Sequence, residues 1–270
     1  MTDAAPLEAG GWSGGPAGER AGCVLAPNPG PMTLDGTNTW LLAEPGSRVA
    51  VVVDPGPDDP SHLRAVLAAV NAQGRRVGLV LLTHGHPDHA AGARRFAELT
   101  GVGVRALDPA HRLGGEGLAD GDVLDVGGLL IQVVGTPGHT ADSLSFLVAG
   151  DGSLLTGDTV LGRGTTVVAY PDGRLADYLD SLERLAALAA GGRVRRVLPG
   201  HGPVLDDPAG VLRGYLAHRR QRLDQVAAAV AAGDRTPQAV VASVYADVDR
   251  SLWPAAELSV RAQLDYLGVR

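Results

Sequence analysis

A chain of 270 residues, 45% of them hydrophobic, is long enough to bury a sizeable core and to hold one large domain with a smaller one beside it. Its net charge of -7 lacks the basic footprint of a dedicated nucleic-acid binder, and no apolar run approaches membrane-spanning length. The single cysteine, Cys23, excludes an intrachain disulfide and suits a reducing cytoplasm.

Residues 1–20 are rich in glycine, contain acids and have no apolar centre, so they read as a flexible tail and not a signal peptide. "RVAVVVDPG" follows as a buried strand ending at Asp54. "SHLRAVLAAVNAQG" carries Leu63, Val66, Leu67 and Val70 at helical spacing, with Gly74 to stop it. "VGLVLL" is an apolar run of strand length and "AAGARRFAELT" reads as a helix, so His84, Gly85, His86, Pro87, Asp88 and His89 fall on a strand-to-helix junction. His84 and His86 face the same way in extended chain, while the turn through Pro87 swings Asp88 and His89 toward a neighbouring position. Imidazole nitrogen and carboxylate oxygen are the usual donors to zinc, so this crowding points to metal.

Further along, the strand "LLIQVV" leads into a glycine-rich turn that holds His139. "LSFLVAGDGSLLTG" reads as a hairpin with a Gly-Asp-Gly turn, and it delivers Asp158. "LADYLDSLERLAALAAG" sets Leu175, Tyr178, Leu179, Leu182 and Leu185 on one helical face, which is core. "RVLPGHGPV" places His201 just past a third apolar strand. Loops after buried strands are where scaffolds carry their chemistry. His62, His111 and His218 lack that setting and read as surface or packing residues. Alternating strands and helices predict an α/β sandwich over residues 21–205. From Asp206 the pattern is helical, three segments opened by Asp, Thr or Pro, so residues 206–270 form a separate module in which eight arginines balance eight acids.

The H-x-H-x-D-H cluster followed by a separate His, Asp and His resembles the metallo-β-lactamase fold superfamily, metal-dependent hydrolases with a four-layer αββα sandwich. "NPGPMTLDGTNTW", "GDTVLGRGTTVV" and "YLAHRRQR" look like the subgroup of the β-lactamase-like protein 2 endoribonucleases and the discrete thioesterases of fungal polyketide pathways. The resemblance implies that His84, His86 and His139 hold a first zinc, that Asp88, His89 and His201 hold a second, and that Asp158 bridges both. Other divalent metals suit the same donors. It implies a place for Asp54 behind the metals, accepting a proton from a ligand imidazole; a plain turn aspartate is the alternative. It also makes the C-terminal helices winged-helix-like, although no hairpin wing follows them in this sequence. Thr37, Asn38, Thr165 and Thr166 are candidates to line the substrate site or are ordinary turn residues; Arg163 is the basic candidate, and Arg94 and Arg95 read as solvated surface.

Two zinc ions bridged by Asp158 would hold a hydroxide at neutral pH, with Asp88 and Asp158 as the catalytic carboxylates and one metal taking up charge from a substrate oxygen. The acidic balance favours a small acyl substrate, a thioester, ester or lactone; single-stranded RNA is the runner-up on the subgroup likeness. A non-catalytic metal-binding protein ranks third, because every ligand position is filled. "TPGHTADS" lacks the second Gly-His of glyoxalases, and the stretch between Asp158 and His201 is too short for the inserted domain of long RNA-processing enzymes. Oligomeric state leaves no trace in the sequence.

Overall fold

The computed structural model describes residues 11–269. Strands β1 (Gly15–Pro16), β2 (Ala21–Leu25), β3 (Asn38–Leu42), β4 (Val49–Val53), β5 (Arg76–Leu81) and β6 (Val104–Arg105) form one sheet in chain order. The first four pair antiparallel. The last three run parallel, through crossovers made by α1 (Pro60–Ala72) and then by α2 (Pro87–Ala90) with α3 (Ala93–Thr100). A second sheet has the order β11-β10-β9-β8-β7, from β7 (Val123–Val126), β8 (Leu129–Gly135), β9 (Leu144–Val148), β10 (Ser153–Gly157) and β11 (Arg196–Pro199). Only β10 and β11 are parallel, and α4 (Leu175–Ala190) connects them.

Successive side chains of a strand leave opposite faces. Trp40, Val51, Val53 and Leu81 therefore meet Ile131, Val133, Phe146 and Leu155 between the sheets. Their neighbours Leu41, Val52, Val80 and Leu82 pack outward on Leu63, Val66 and Val70 of α1 and Phe96 of α3. On the far side, Val134, Leu147, Leu154 and Val197 pack on Tyr178, Leu182 and Leu185 of α4. The central strands of both sheets are buried on both faces, which is why they read as continuous apolar runs, while Val123 and Leu130 on β7 and β8 are exposed. The result is the expected four-layer αββα sandwich.

α5 (Pro208–Ala232) joins two cores. Near its start Leu212 packs into the α4 layer, and near its end Val226 packs with Val240 and Val241 of α6 (Pro237–Val244) and Val260 and Leu264 of α7 (Trp253–Tyr266). Asp207 and Thr236 cap α5 and α6 by accepting from the Gly210 and Ala239 amides. The module is helical throughout its described residues, and no described helix is long and apolar enough to cross a membrane.

The expectation of a flexible tail over residues 1–20 needs correction for residues 11–20. Residues 1–10 lie outside the described part. Beyond them, Gly15–Pro16 pairs with β2, Ala17 is buried, and Trp12 Nε1 donates to Asn38 Oδ1 at 2.8 Å. An open β2 edge offers unpaired backbone groups, and this segment fills part of it.

Candidate metal centre

All seven predicted ligand residues come from the C-terminal ends of strands. His84 through His89 follow β5, His139 follows β8, Asp158 directly follows β10, and His201 lies two residues past β11. Pro87 shapes the first group: it holds His86 extended (φ -61°, ψ 142°) and starts α2, so Asp88 and His89 enter a helical turn. β3 supports the last one. Asn38 Nδ2 donates to the carbonyls of Pro199 (2.9 Å) and Gly202 (2.8 Å), and Trp40 Nε1 donates to that of Pro199 (2.9 Å).

The donors form two clusters. In the first, His84 Nε2 and His139 Nε2 each lie 3.0 Å from His86 Nδ1. In the second, His201 Nε2 lies 3.2 Å from both His89 Nε2 and Asp88 Oδ2. Asp158 stands between them, with Oδ1 3.4 Å from His89 Nε2 and Oδ2 3.4 Å from His201 Nε2 and 3.7 Å from His139 Nε2.

The outward-facing nitrogens are tied down. His139 Nδ1 meets the Val167 carbonyl at 2.7 Å, His201 Nδ1 the Gly36 carbonyl at 3.2 Å, and His89 Nδ1 the Asp54 carboxylate at 2.9 Å. Thr83 spends its hydroxyl proton on Asp54 Oδ2 (2.7 Å), so Thr83 Oγ1 is left to accept from His84 Nδ1 at 3.0 Å. In its neutral form each of these four imidazoles thus carries its proton away from the site and turns a Nε2 lone pair into it. Asp54 is buried at φ 51°, a left-handed conformation uncommon outside glycine, asparagine and aspartate. Thr83 itself escaped the sequence reading, because a threonine at a strand end carries no local signal of its partners.

Electrostatics separates the clusters. Burial, helped by the charge on His89, holds His84 well below the usual imidazole range, and burial likewise lowers His139. Burial also opposes a charge on His89 and His201, but the Asp158 carboxylate outweighs it, with Asp54 helping at His89 and Asp88 at His201; His89 rises well above the usual range and His201 to about 9. Burial works against ionised Asp88 and Asp158, yet these imidazoles hold Asp88 down to about 2 and Asp158 well below the usual carboxylate range.

These residues fit a divalent metal. Tetrahedral zinc with Zn–N bonds near 2.05 Å sets its nitrogens about 3.3 Å apart, close to the spacing found here. Asp158 Oδ1 is buried with no hydrogen-bond partner, an orphaned anionic oxygen that a cation would satisfy. Space is reserved as well: a Cβ on Gly200 would press on Asp158 Oδ1 and stand 2.8 Å from His89 Cε1.

The candidate donors His139 and Asp158 line a cleft of about 240 Å³ between the loop after Asp158, the residues around Met32, α5 and the rest of the C-terminal module. Of the predicted substrate residues, Arg163, Thr165 and Thr166 line it. Arg163 is ion-paired with Asp35, so its charge is already answered. Thr166 is buried and donates to the Asp158 carbonyl at 2.8 Å. Thr37 is fully buried and lies behind the site, its hydroxyl 3.3 Å from Asp88 Oδ2. Asn38 needs correction: it is fully buried, its amide holds the Pro199–Gly202 turn and its carbonyl oxygen accepts from Trp12, so no group is left to meet a substrate. His218, read from sequence as surface or packing, lines the cleft, where burial and then Arg219 and Arg222 lower its pKa to about 4. The wall contributed by Arg219, Arg222, Tyr245, Val248 and Leu252 was not foreseen; its one sequence clue lay in "YLAHRRQR".

Comparison with known proteins accords with this geometry. The family profile described as Metallo-beta-lactamase superfamily matches residues 32–201, and that described as Beta-lactamase associated winged helix domain matches residues 236–268. A Drosophila melanogaster protein named Beta-lactamase-like protein 2 homolog is 33% identical over 267 residues, covering 90% of this chain and 86% of its own. The Atrochrysone carboxyl ACP thioesterase of Aspergillus fumigatus is 35% identical, covering 75% of this chain and 62% of its own. A crystal structure of a metallo-beta-lactamase family protein from Thermus thermophilus matches with a TM-score of 0.75 at 24% identity, over 92% of this chain and 93% of the other.

Proposed function

The chain belongs to the metallo-β-lactamase superfamily, and from that premise we propose that it is a metal-dependent hydrolase of a small acyl substrate, a thioester, ester or lactone. The observation that carries this reading is the position of the donors His139 and Asp158 in the lining of a largely apolar cleft in a protein of net charge -7. Such a cleft suits an acyl group better than a polyanion. The relative named as a thioesterase supports the same choice.

A bound divalent metal, zinc and two ions per chain in our reading, supplies Lewis acidity and a water of lowered pKa. The protein's own groups do the rest. His84, His86 and His139 hold one ion, Asp88, His89 and His201 hold the other, and Asp158 spans the two clusters. Asp54 fixes the tautomer of His89 directly and of His84 through Thr83. Asp88 is more exposed than Asp158, 28% against 12%, so it is the carboxylate more open to a water at the metal centre. The apolar walls keep other water away while the acyl carbon is attacked. We take residues 21–205 as the hydrolytic domain, residues 206–270 as the module that closes its cleft, and the cytoplasm as its setting.

One preparation assayed against acyl thioesters, lactones and single-stranded RNA, with Asp158→Ala as the control, tests this reading. Thioester or lactone turnover that needs metal and Asp158 is expected. RNA cleavage at a far higher rate, lost in Asp158→Ala, would replace the acyl assignment with the endoribonuclease one.

A further inference from the structure

The wall that α5 contributes to the cleft carries two arginines that no carboxylate answers. Arg219 is 5% exposed, and its Nη2 donates to Thr165 Oγ1 at 2.8 Å and to the Thr166 carbonyl. Its guanidinium carbon lies 4.9 Å from the centre of the Tyr178 ring, and its Nε is buried without a partner. Arg222, one turn on, donates to Gln225 and to the Val244 carbonyl and lies 4.6 Å from the centre of the Tyr245 ring. Among the described residues neither forms an ion pair, whereas Arg163 beside them pairs with Asp35 and Arg220 between them pairs with Glu183. His218, the remaining basic side chain of the cleft, is held neutral at physiological pH. A protein with seven more acids than bases has thus left a pair of cations unanswered where they line its active-site cleft. A buried cation without a counter-charge is costly, and that cost is relieved when an anion enters.

Away from the metal centre and the Arg163–Thr166 loop, much of the cleft is apolar. Met32, Leu34 and Leu161 line it from the hydrolytic domain, and Val248, Leu252 and Ala256 line it from the module. About 240 Å³ is room for on the order of eight water-sized groups. Tyr245 is the one aromatic ring in the lining besides the histidines, and Arg222 already stacks on it, so the cleft lacks the open stacking platforms that hold single-stranded nucleic acid.

We propose that this cleft selects an amphipathic acyl thioester, with the thioester at the metal centre, the acyl body along the wall made by Leu161, Val248 and Leu252, and one anionic group of the substrate at Arg219 and Arg222. The inference rests on the acyl-hydrolase reading and names its substrate class. In the reaction the oxygen of water bonds to the thioester carbon and the carbon–sulfur bond breaks. The products are a carboxylate and a thiol, with one proton released. The anionic group is either a carboxylate carried by the acyl part or the phosphate of the carrier arm.

Titration calorimetry on the metal-loaded protein separates these sources and needs no turnover. Suberate is compared with octanoate for the acyl part, and 4′-phosphopantetheine with pantetheine for the carrier arm. In at least one pair the more anionic compound is expected to bind about tenfold tighter or better, the worth of hydrogen bonds to a charged group. Arg222→Gln should erase that preference, while Arg220→Gln, the same charge change outside the cleft lining, should keep it. Arg219→Gln would also free the Thr165–Thr166 segment and could unfold it, so Arg222 carries the test. No preference in either pair, or a preference that survives Arg222→Gln, overturns the anion site. Tighter binding of a single-stranded oligonucleotide, falling steeply with salt, overturns it in favour of a polyanion. A preference in binding with no turnover of any thioester leaves the anion site standing and refutes the acyl reading alone.

Discussion

Asp54 Oδ2 lies 2.9 Å from Nδ1 of His89 and 2.7 Å from the hydroxyl of Thr83, which in turn meets Nδ1 of His84, so one buried carboxylate orients an imidazole in each donor cluster. Asp54→Asn keeps the shape but turns one oxygen into a donor, which must then face either the Thr83 amide at Oδ1, 2.8 Å away, or the Thr83 hydroxyl and His89 Nδ1 at Oδ2. Metal affinity should fall about 10- to 100-fold, the usual effect of losing such an orienting partner. Competition with a chelator of known affinity measures it; unchanged affinity at either site would argue that the tautomers are set elsewhere.

Purified protein should contain up to two equivalents of zinc or a similar divalent metal, and a chelator should abolish hydrolysis. His84→Ala and Asp158→Ala should each lose metal as well as activity. Elemental analysis that finds none after zinc supplementation would sink the metallohydrolase reading.

Gly200→Ala places a methyl group against Asp158 Oδ1 and His89. His84, His86 and His139 are untouched by it. The expected result is loss of metal mainly at the Asp88, His89 and His201 cluster, seen as a drop of about one equivalent in a protein that still folds. Full occupancy would mean that β11 can shift and that the spacing is softer than it looks.

Acid–base behaviour gives a further check on the metal-free protein. His89 and His201 have folded pKa values above the unfolded value of 6.5, about 9 in the case of His201. Their contribution is complete below pH 6.5; that of His201 is lost as pH rises through about 9, and that of His89 as pH rises through its own raised pKa. His84 and His139, shifted the other way, are neutral in the folded protein over that range and finish losing their charge in the unfolded chain by about pH 7.5, so they add no change above it. Thermal stability with chelator present should therefore decline from about pH 7.5 to 9, and metal binding near pH 7 should release protons. A melting temperature that rises across that range in metal-free protein would contradict the charge assignment.

Truncation separates the two roles of α5. Ending the chain at residue 205 removes Leu212 from the α4 layer and should give aggregated protein. Ending it after Gly233 keeps that contact but removes Tyr245, Val248 and Leu252 from the cleft, so metal binding should persist while KM rises. A protein ending at residue 233 with unchanged KM would show that the module is not part of the substrate site.

The fold and the donor set were legible because both are written locally. A strand of continuous apolar residues announces a doubly covered sheet, and His139, Asp158 and His201 each stand just beyond one. What escaped was written in pairings between distant segments. Asn38 looks like a loop residue facing solvent until β3 is seen crossing to hold the turn after β11. Arg163 looks like a free cation until Asp35 is folded beside it. Arg219 reads as one more charge on a helix; only the packing of α5 against the loop at Thr165 and Thr166 buries it. Residues 11–20 were misjudged because their glycines suggest freedom, whereas the open edge of β2 gives them a place to bind.

The two hydrophobic cores threaded by α5 have a bearing on how such a protein can diversify. The candidate donors stand on strand ends held by the core between the sheets, while Val248, Leu252 and Ala256 belong to a module built around Val226, Val240 and Val260. A substitution in that second core can reshape the cleft while every donor keeps its position. Selection for a new substrate can then act on the module, and the donor set is inherited unchanged.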